Sequence, residues 1–174
     1  MKRGVGWLLA AASVLAVLAA TSPAQAAPGS DTRSVRVTPD WAFTPGRLCT
    51  EDDPDFKEFR YPERIPYCRR NVTPQMKQEI AAHYGIPRAE WPDYEFDHLI
   101  PLALGGDSHV DNLWPQPHGN PDGSAGKDQL ENQLFKEISA GTITQAEAVR
   151  QIYAWFGVAP QIPVPARPAV PAVR

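Results

Sequence analysis

The sequence predicts an α+β fold, mainly helical, centred on a β-hairpin and the helix that follows it, with further helices at the flanks. Three observations predict it. Between Tyr94 and Trp114, two apolar runs stand on either side of Gly105-Gly106-Asp107-Ser108, the pattern of two strands joined by a tight connection. Three stretches opening at Thr73, Ser124 and Thr144 repeat apolar residues at helical spacing and stop at Gly85, Gly141 and Gly157. Only two cysteines exist, Cys49 and Cys68, few enough to be read as one crosslink.

The 174-residue chain carries a formal charge of -3. It begins with Met1-Lys2-Arg3 and an apolar run from Val5 to Ala20, followed by Ala24-Gln25-Ala26. That order of positive start, apolar stretch and small-x-small site reads as a secretory signal peptide over residues 1–26, cut after Ala26, with Ala24 as the second choice. The apolar run is shorter than the ~20 residues that a spanning helix needs. Losing Lys2 and Arg3 moves the formal charge from -3 to -5, a mildly acidic balance that counts against nonspecific electrostatic binding as the main property. An exported chain meets oxidising conditions, so the expectation for Cys49 and Cys68 is a disulfide. Zinc is a poor competitor because no further ligands stand at finger spacing.

Residues 27–45, rich in Pro, Gly, Ser and Thr, read as a flexible lead-in with a short strand at Val35-Arg36-Val37. The domain is placed at 46–157. Thr73 caps the first helix, Pro74 occupies its first turn, and Met76, Ile80 and Tyr84 share a face. His83, near that helix's end, reads as an exposed side chain meeting the negative terminus. Trp91-Pro92-Asp93 marks a turn. Phe96, Leu99, Ile100, Leu102 and Leu104 supply a strand that Pro101 keeps short, and Val110 to Trp114 reads as the returning strand. A Pro- and Gly-rich loop from Pro115 to Gly123, containing His118, leads to a helix capped by Ser124 with Leu130, Leu134, Phe135 and Ile138 on its apolar face. Thr144 and Glu147 form capping-box spacing for a last helix through Ala148, Ile152 and Trp155. Residues 158–174, with proline at nearly every second or third position, read as a disordered extended tail.

The chemistry concentrates in the central stretch. Asp97-His98 sets a carboxylate beside an imidazole, and a bend at that point would turn both into one cleft, since strand neighbours otherwise point to opposite sides. Carboxylate and amide oxygens suit magnesium, calcium or manganese, and neutral histidine suits general-base work. Asn112 can bond the facing loop and hold His98. On the next helix two i, i+4 pairs occur, Asp128 with Asn132 and Lys127 with Glu131, and periodicity leaves open which pair faces a metal.

Asp-His-Leu-Ile-Pro-Leu-x-Leu-Gly-Gly, then Asn-Leu-Trp-Pro, then Lys-Asp-x-x-Glu-Asn-x-Leu resembles the HNH endonuclease family, and more narrowly its small secreted bacterial type. The likeness spans roughly residues 94–140. The resemblance implies a ββα-metal core, a hairpin plus a helix around one divalent ion, Mg²⁺ foremost with Mn²⁺, Ca²⁺ or Zn²⁺ as others. It implies His98 as general base, Asn112 as the brace and Asp97 as a metal ligand. The family commonly places His or Asn at the final helix position, and no histidine stands there in this chain. By analogy Asp128 and Asn132 complete the ligand set, with Glu131 in reserve. Lys127, with Arg69, Arg70 and Arg88 as helpers, would neutralise phosphates. The expected partner is nucleic acid, DNA ahead of RNA, cut with low sequence specificity, since no appended recognition module is present. Two rival readings are an inactive extracellular binding or structural protein of the same fold, and a metal-dependent hydrolase of another secreted polymer.

Overall fold

A computed structural model describes residues 38–119 and 123–164. The signal peptide at 1–26, the strand at Val35-Arg36-Val37 and residues 165–174 of the tail lie outside the described residues. The fold is α+β: the described residues form two separate two-stranded antiparallel sheets and three α-helices, joined by short 3-10 turns. Strand β1 (Phe56–Arg60) pairs with β2 (Ile65–Cys68), and β3 (Tyr94–His98) pairs with β4 (Leu113–Pro117). The helices are α1 (Pro74–His83), α2 (Ser124–Ala140) and α3 (Gln145–Trp155). Among the described residues no helix is long and apolar enough to cross a membrane.

Local chemistry sets the helix ends. Thr73 Oγ1 accepts from the Met76 N–H at 3.2 Å, and Thr144 Oγ1 accepts from the Glu147 N–H at 3.2 Å, each satisfying a donor that the first turn leaves orphaned. Helix α2 starts one residue earlier than expected: Gly123 is its cap, and Ser124 is already helical.

The β3–β4 hairpin divides the core in two because strand side chains alternate. On one face, Trp114 joins Leu134 and Ile138 of α2 with Val149, Ile152 and Tyr153 of α3. On the other, Phe96 and Leu113 pack with Ile80 and Ala81 of α1. The return strand begins at Leu113 rather than Val110. His109 accepts from the Asp111 N–H, and Val110–Asn112 form a 3-10 turn. Strand β4 therefore runs into the segment read as loop, to Pro117.

Two expected borders move outward. The lead-in was to reach residue 45, yet Thr44 is fully buried and bonds the Leu113 carbonyl at 3.1 Å, while Trp41 packs edge-on against Phe156. At the other end, Val158, Ile162 and Val164 lie against the larger core. Proline-rich composition excludes regular structure but not packing of the valines and isoleucine between the prolines.

The disulfide is present: Cys49 and Cys68 are bonded, with Cα atoms 5.8 Å apart. The loop that it closes has regular structure despite its polar composition. It holds the β1–β2 hairpin, whose tip has left-handed backbone at Tyr61 (φ 63°) and Arg64 (φ 59°), uncommon for residues with a Cβ. The tip is tied down where Tyr61 donates to the Ala103 carbonyl at 2.9 Å and Glu63 accepts from the Gln145 N–H at 2.6 Å.

Candidate active site

The loop from Leu99 to Asn112 brings the site together, and Asn112 organises it. Its side chain is fully buried and makes four hydrogen bonds. Oδ1 accepts from the N–H groups of Ile100 (3.0 Å) and Arg47 (3.3 Å), and Nδ2 donates to the carbonyls of Ile100 (3.0 Å) and Asp107 (2.8 Å). Both donors and both acceptor positions of the amide are used. The turn around which it closes needs glycine: Gly105 has φ 86°, and a Cβ on Gly106 would fall on the Ile100 carbonyl.

Asp97 and His98 both sit in the β3–β4 ladder, opposite Trp114 and Leu113. The expected bend is absent at that point, so the two side chains leave β3 on opposite faces. The His98 ring is 3 % exposed. Its Nε2 is 3.0 Å from Ser108 Oγ, and its Nδ1 is 3.4 Å from the Arg70 guanidinium, which also donates to the Phe96 carbonyl at 3.2 Å. A guanidinium only donates, so Nδ1 is the accepting nitrogen and Nε2 carries the proton toward Ser108. Burial is the main force lowering the imidazole pKa to about 4; Asp97 opposes it, while Arg70 and Lys127 add to it. His98 is therefore neutral at neutral pH.

On the opposite face, Asp97 meets α2. Lys127 is 1 % exposed, and its ammonium donates to Asp97 Oδ2 at 2.7 Å, to the His98 carbonyl at 2.8 Å and to Glu131 Oε1. Three donors meet three oxygens, so the phosphate role expected of Lys127 has no N–H left to serve it. Gln116, fully buried, completes the cluster: with its amide nitrogen toward Asp97 it donates to Oδ2 at 3.2 Å and accepts from the Ser124 N–H at 3.3 Å. Burial alone would raise the Asp97 pKa, but the adjacent ammonium draws it below the ordinary carboxylate value. Burial outweighs the same ammonium at Glu131, whose pKa is raised. Lys127 is held protonated by the two carboxylates against the burial that opposes its charge.

No family model, curated protein or solved structure matches the chain.

The expected residues separate into two groups. Asp97, His98, Asn112, Lys127, Glu131 and Arg70 converge on the end of β3. Asp128 and Asn132 fall on the exposed side of α2, one residue out of phase with the pair that faces Asp97, so Glu131 takes the place given first to them. Arg69, the residue after the disulfide-closed segment, pairs with Asp55 inside it at 2.9 Å. Cys49, Asp53 and Cys68 also cluster, with candidate ligand atoms within 4.8 Å of one another. The two sulfurs are bonded to each other, however, and a metal takes the thiolate. His83 is exposed at the end of α1, as expected; it also bonds Asp40 at 2.8 Å and stacks on Phe43 with ring centroids 3.7 Å apart.

Two participants escaped the sequence reading, Ser108 and Gln116. In the sequence Ser108 reads only as turn chemistry. Gln116 lay in a stretch read as loop, although two-residue alternation from Trp114 puts it on the Asp97 face.

Proposed function

We propose that the protein is a metal-dependent endonuclease of HNH type, hydrolysing phosphodiester bonds of nucleic acid on a ββα-metal core. One observation carries the reading: a buried neutral imidazole and two adjacent carboxylates stand at one strand end, braced by the four bonds of Asn112. The donor set fits a hard divalent ion. Asp97 and Glu131 are 16 % and 24 % exposed, each gives one oxygen to Lys127, and oxygen donors favour Mg²⁺, Mn²⁺ or Ca²⁺ over softer ions. Such an ion, held by Asp97 and Glu131, supplies Lewis-acid stabilisation of the charge developing on the phosphoryl and leaving oxygens.

The chain's own groups do the rest. A phosphodiester laid across the end of β3 draws the Arg70 guanidinium toward its oxygens and uncovers Nδ1 of His98. That nitrogen takes a proton from water, and the water oxygen attacks phosphorus while the bond to the leaving oxygen breaks. Ser108 and the Asn112-braced loop hold the ring in one orientation, so the base does not have to be ordered at the moment of reaction. The disulfide supports a place outside the reducing cytosol, and with it the reading of residues 1–26 as an export signal.

Supercoiled plasmid incubated with the protein and Mg²⁺ or Mn²⁺ is expected to be nicked, and EDTA is expected to stop it. No EDTA-sensitive nicking with any of several divalent ions sinks the proposal. One observation favours a second reading, an inactive binding protein of this fold: Lys127 already bridges Asp97 and Glu131 and offsets one of their two charges without any ion. Plasmid binding without nicking under every ion is the result that reading requires.

A further inference from the structure

The hairpin face that carries His98 continues into a cleft of about 400 Å³, walled by Arg70, Lys77, Arg88, Trp91, Tyr94 and His118, with Glu95 as its one acid. Three cations against one acid is a local reversal of sign in a chain of formal charge -3. Among the described residues, none of the three is in an ion pair. Two rest on aromatic faces instead: the Arg88 guanidinium lies 3.9 Å over the Trp91 ring, and the Lys77 ammonium lies 5.6 Å from the Phe96 ring centre. Cations held on rings keep their N–H groups for an outside anion, whereas cations paired with acids do not.

We propose that this cleft is the binding groove for a single-stranded segment of nucleic acid. Its phosphates lie on Arg70, Lys77 and Arg88, and its unpaired bases stack on Tyr94 and on the guanidinium plane of Arg88 above Trp91. Positive charge interleaved with flat π surfaces is the chemistry that holds single strands, because every unpaired base offers a face. A space of this volume takes a nucleotide-sized ligand. Arg70 is the joint with the candidate active site, since the guanidinium that lines the cleft also contacts His98. The inference deepens the nuclease reading and rests on it for the chemistry at His98, whereas the groove itself is tested by binding alone.

The experiment is fluorescence anisotropy of a labelled oligothymidylate with the whole protein in EDTA, titrated between about 50 and 200 mM salt. The single strand is expected to bind at least tenfold more tightly than a duplex of equal length. Lys77→Ala with Arg88→Ala is expected to weaken that binding at least tenfold and to reduce the salt slope by about 1.4, the value for two lost contacts on a single strand. Tyr94→Leu, which removes a stacking face and no charge, is expected to weaken binding with the slope unchanged; melting curves confirm that each variant is folded. Duplex preferred over single strand, or unchanged affinity and slope in the folded double variant, overturns the groove. Plasmid nicking reports separately. Oligonucleotide binding lost in the double variant, with no nicking by the wild type, upholds the groove and removes the nuclease reading. Nicking by the wild type, with binding unchanged in the variant, does the reverse.

Discussion

The described residues form two antiparallel hairpins with strands of nearly equal length, held together by opposite means. The β1–β2 hairpin lies at the surface, with the middle of β1 exposed, and is closed by a covalent bond at Cys68 and by contacts at its tip. The β3–β4 hairpin is buried on both faces and is closed by the Asn112 side chain. A crosslink acts mainly on the unfolded chain and does little to aim any side chain. A saturated amide inside a core fixes the loop around it, because each broken bond leaves a buried group unsatisfied. The difference teaches why the candidate active-site residues collect on the second hairpin: orientation comes from buried polar bonds, and the disulfide supplies only persistence.

That contrast can be broken by substitution. The largest effect expected is at His98, where His98→Ala lowers the nicking rate by roughly 10²–10⁴-fold with the circular dichroism spectrum retained; nicking that persists at the wild-type rate removes His98 from its role. Next is Asn112→Ala, which strands the amide's four partners and is expected to cost about 3 kcal/mol in urea unfolding and to lower nicking even where the protein is folded. Cys49→Ser with Cys68→Ser opens a link between residues 19 apart in sequence and is expected to cost about 3 kcal/mol in the chain-entropy model. Unlike Asn112→Ala, it should leave nicking of the folded protein nearly unchanged. Activity lost in step with stability in the cysteine variant would erase the distinction between the two hairpins.

The smallest effect belongs to Asp55, whose carboxylate accepts from Asn71 at 2.8 Å and Arg69 at 2.9 Å, beside the exposed hairpin. The bond from Asn71, then that from Arg69, lowers its pKa below 3.8. A carboxylate depressed in the folded state contributes stability above its unfolded pKa and loses it as pH falls through the folded one. Asp55→Asn should thus cost less than about 1 kcal/mol at pH 6, since the Arg69 partner is largely in solvent. Melting temperatures of variant and wild type should converge below pH 3.8; a gap that widens in acid would reverse the assignment.

Legibility in the sequence followed the range of the forces involved. The helices were readable because Thr73, Thr144, Gly85 and Gly141 act within a few residues of themselves. The β1–β2 hairpin was not, since Phe-Lys-Glu-Phe-Arg lacks clean alternation and its pairing is stabilised by a distant cysteine and by tip contacts to Ala103 and Gln145. The phase of α2 could have been found: counting back from the buried Leu134 and Ile138 by two turns gives Lys127 and Glu131 rather than Asp128 and Asn132. What no count reveals is that Lys127 spends all three N–H groups internally, because that depends on a carboxylate 30 residues away reaching the same point.

The buried ammonium has a consequence for endurance. Small domains that are folded by a metal come apart when the ion is taken away, because the free energy of binding it is what holds their ligands together. Here the counter-charge is covalently part of the chain, so Asp97 and Glu131 stay side by side whatever the medium supplies. Under the proposed metal dependence, ion starvation would idle the molecule and leave its shape intact, and returning the ion would restart it without refolding.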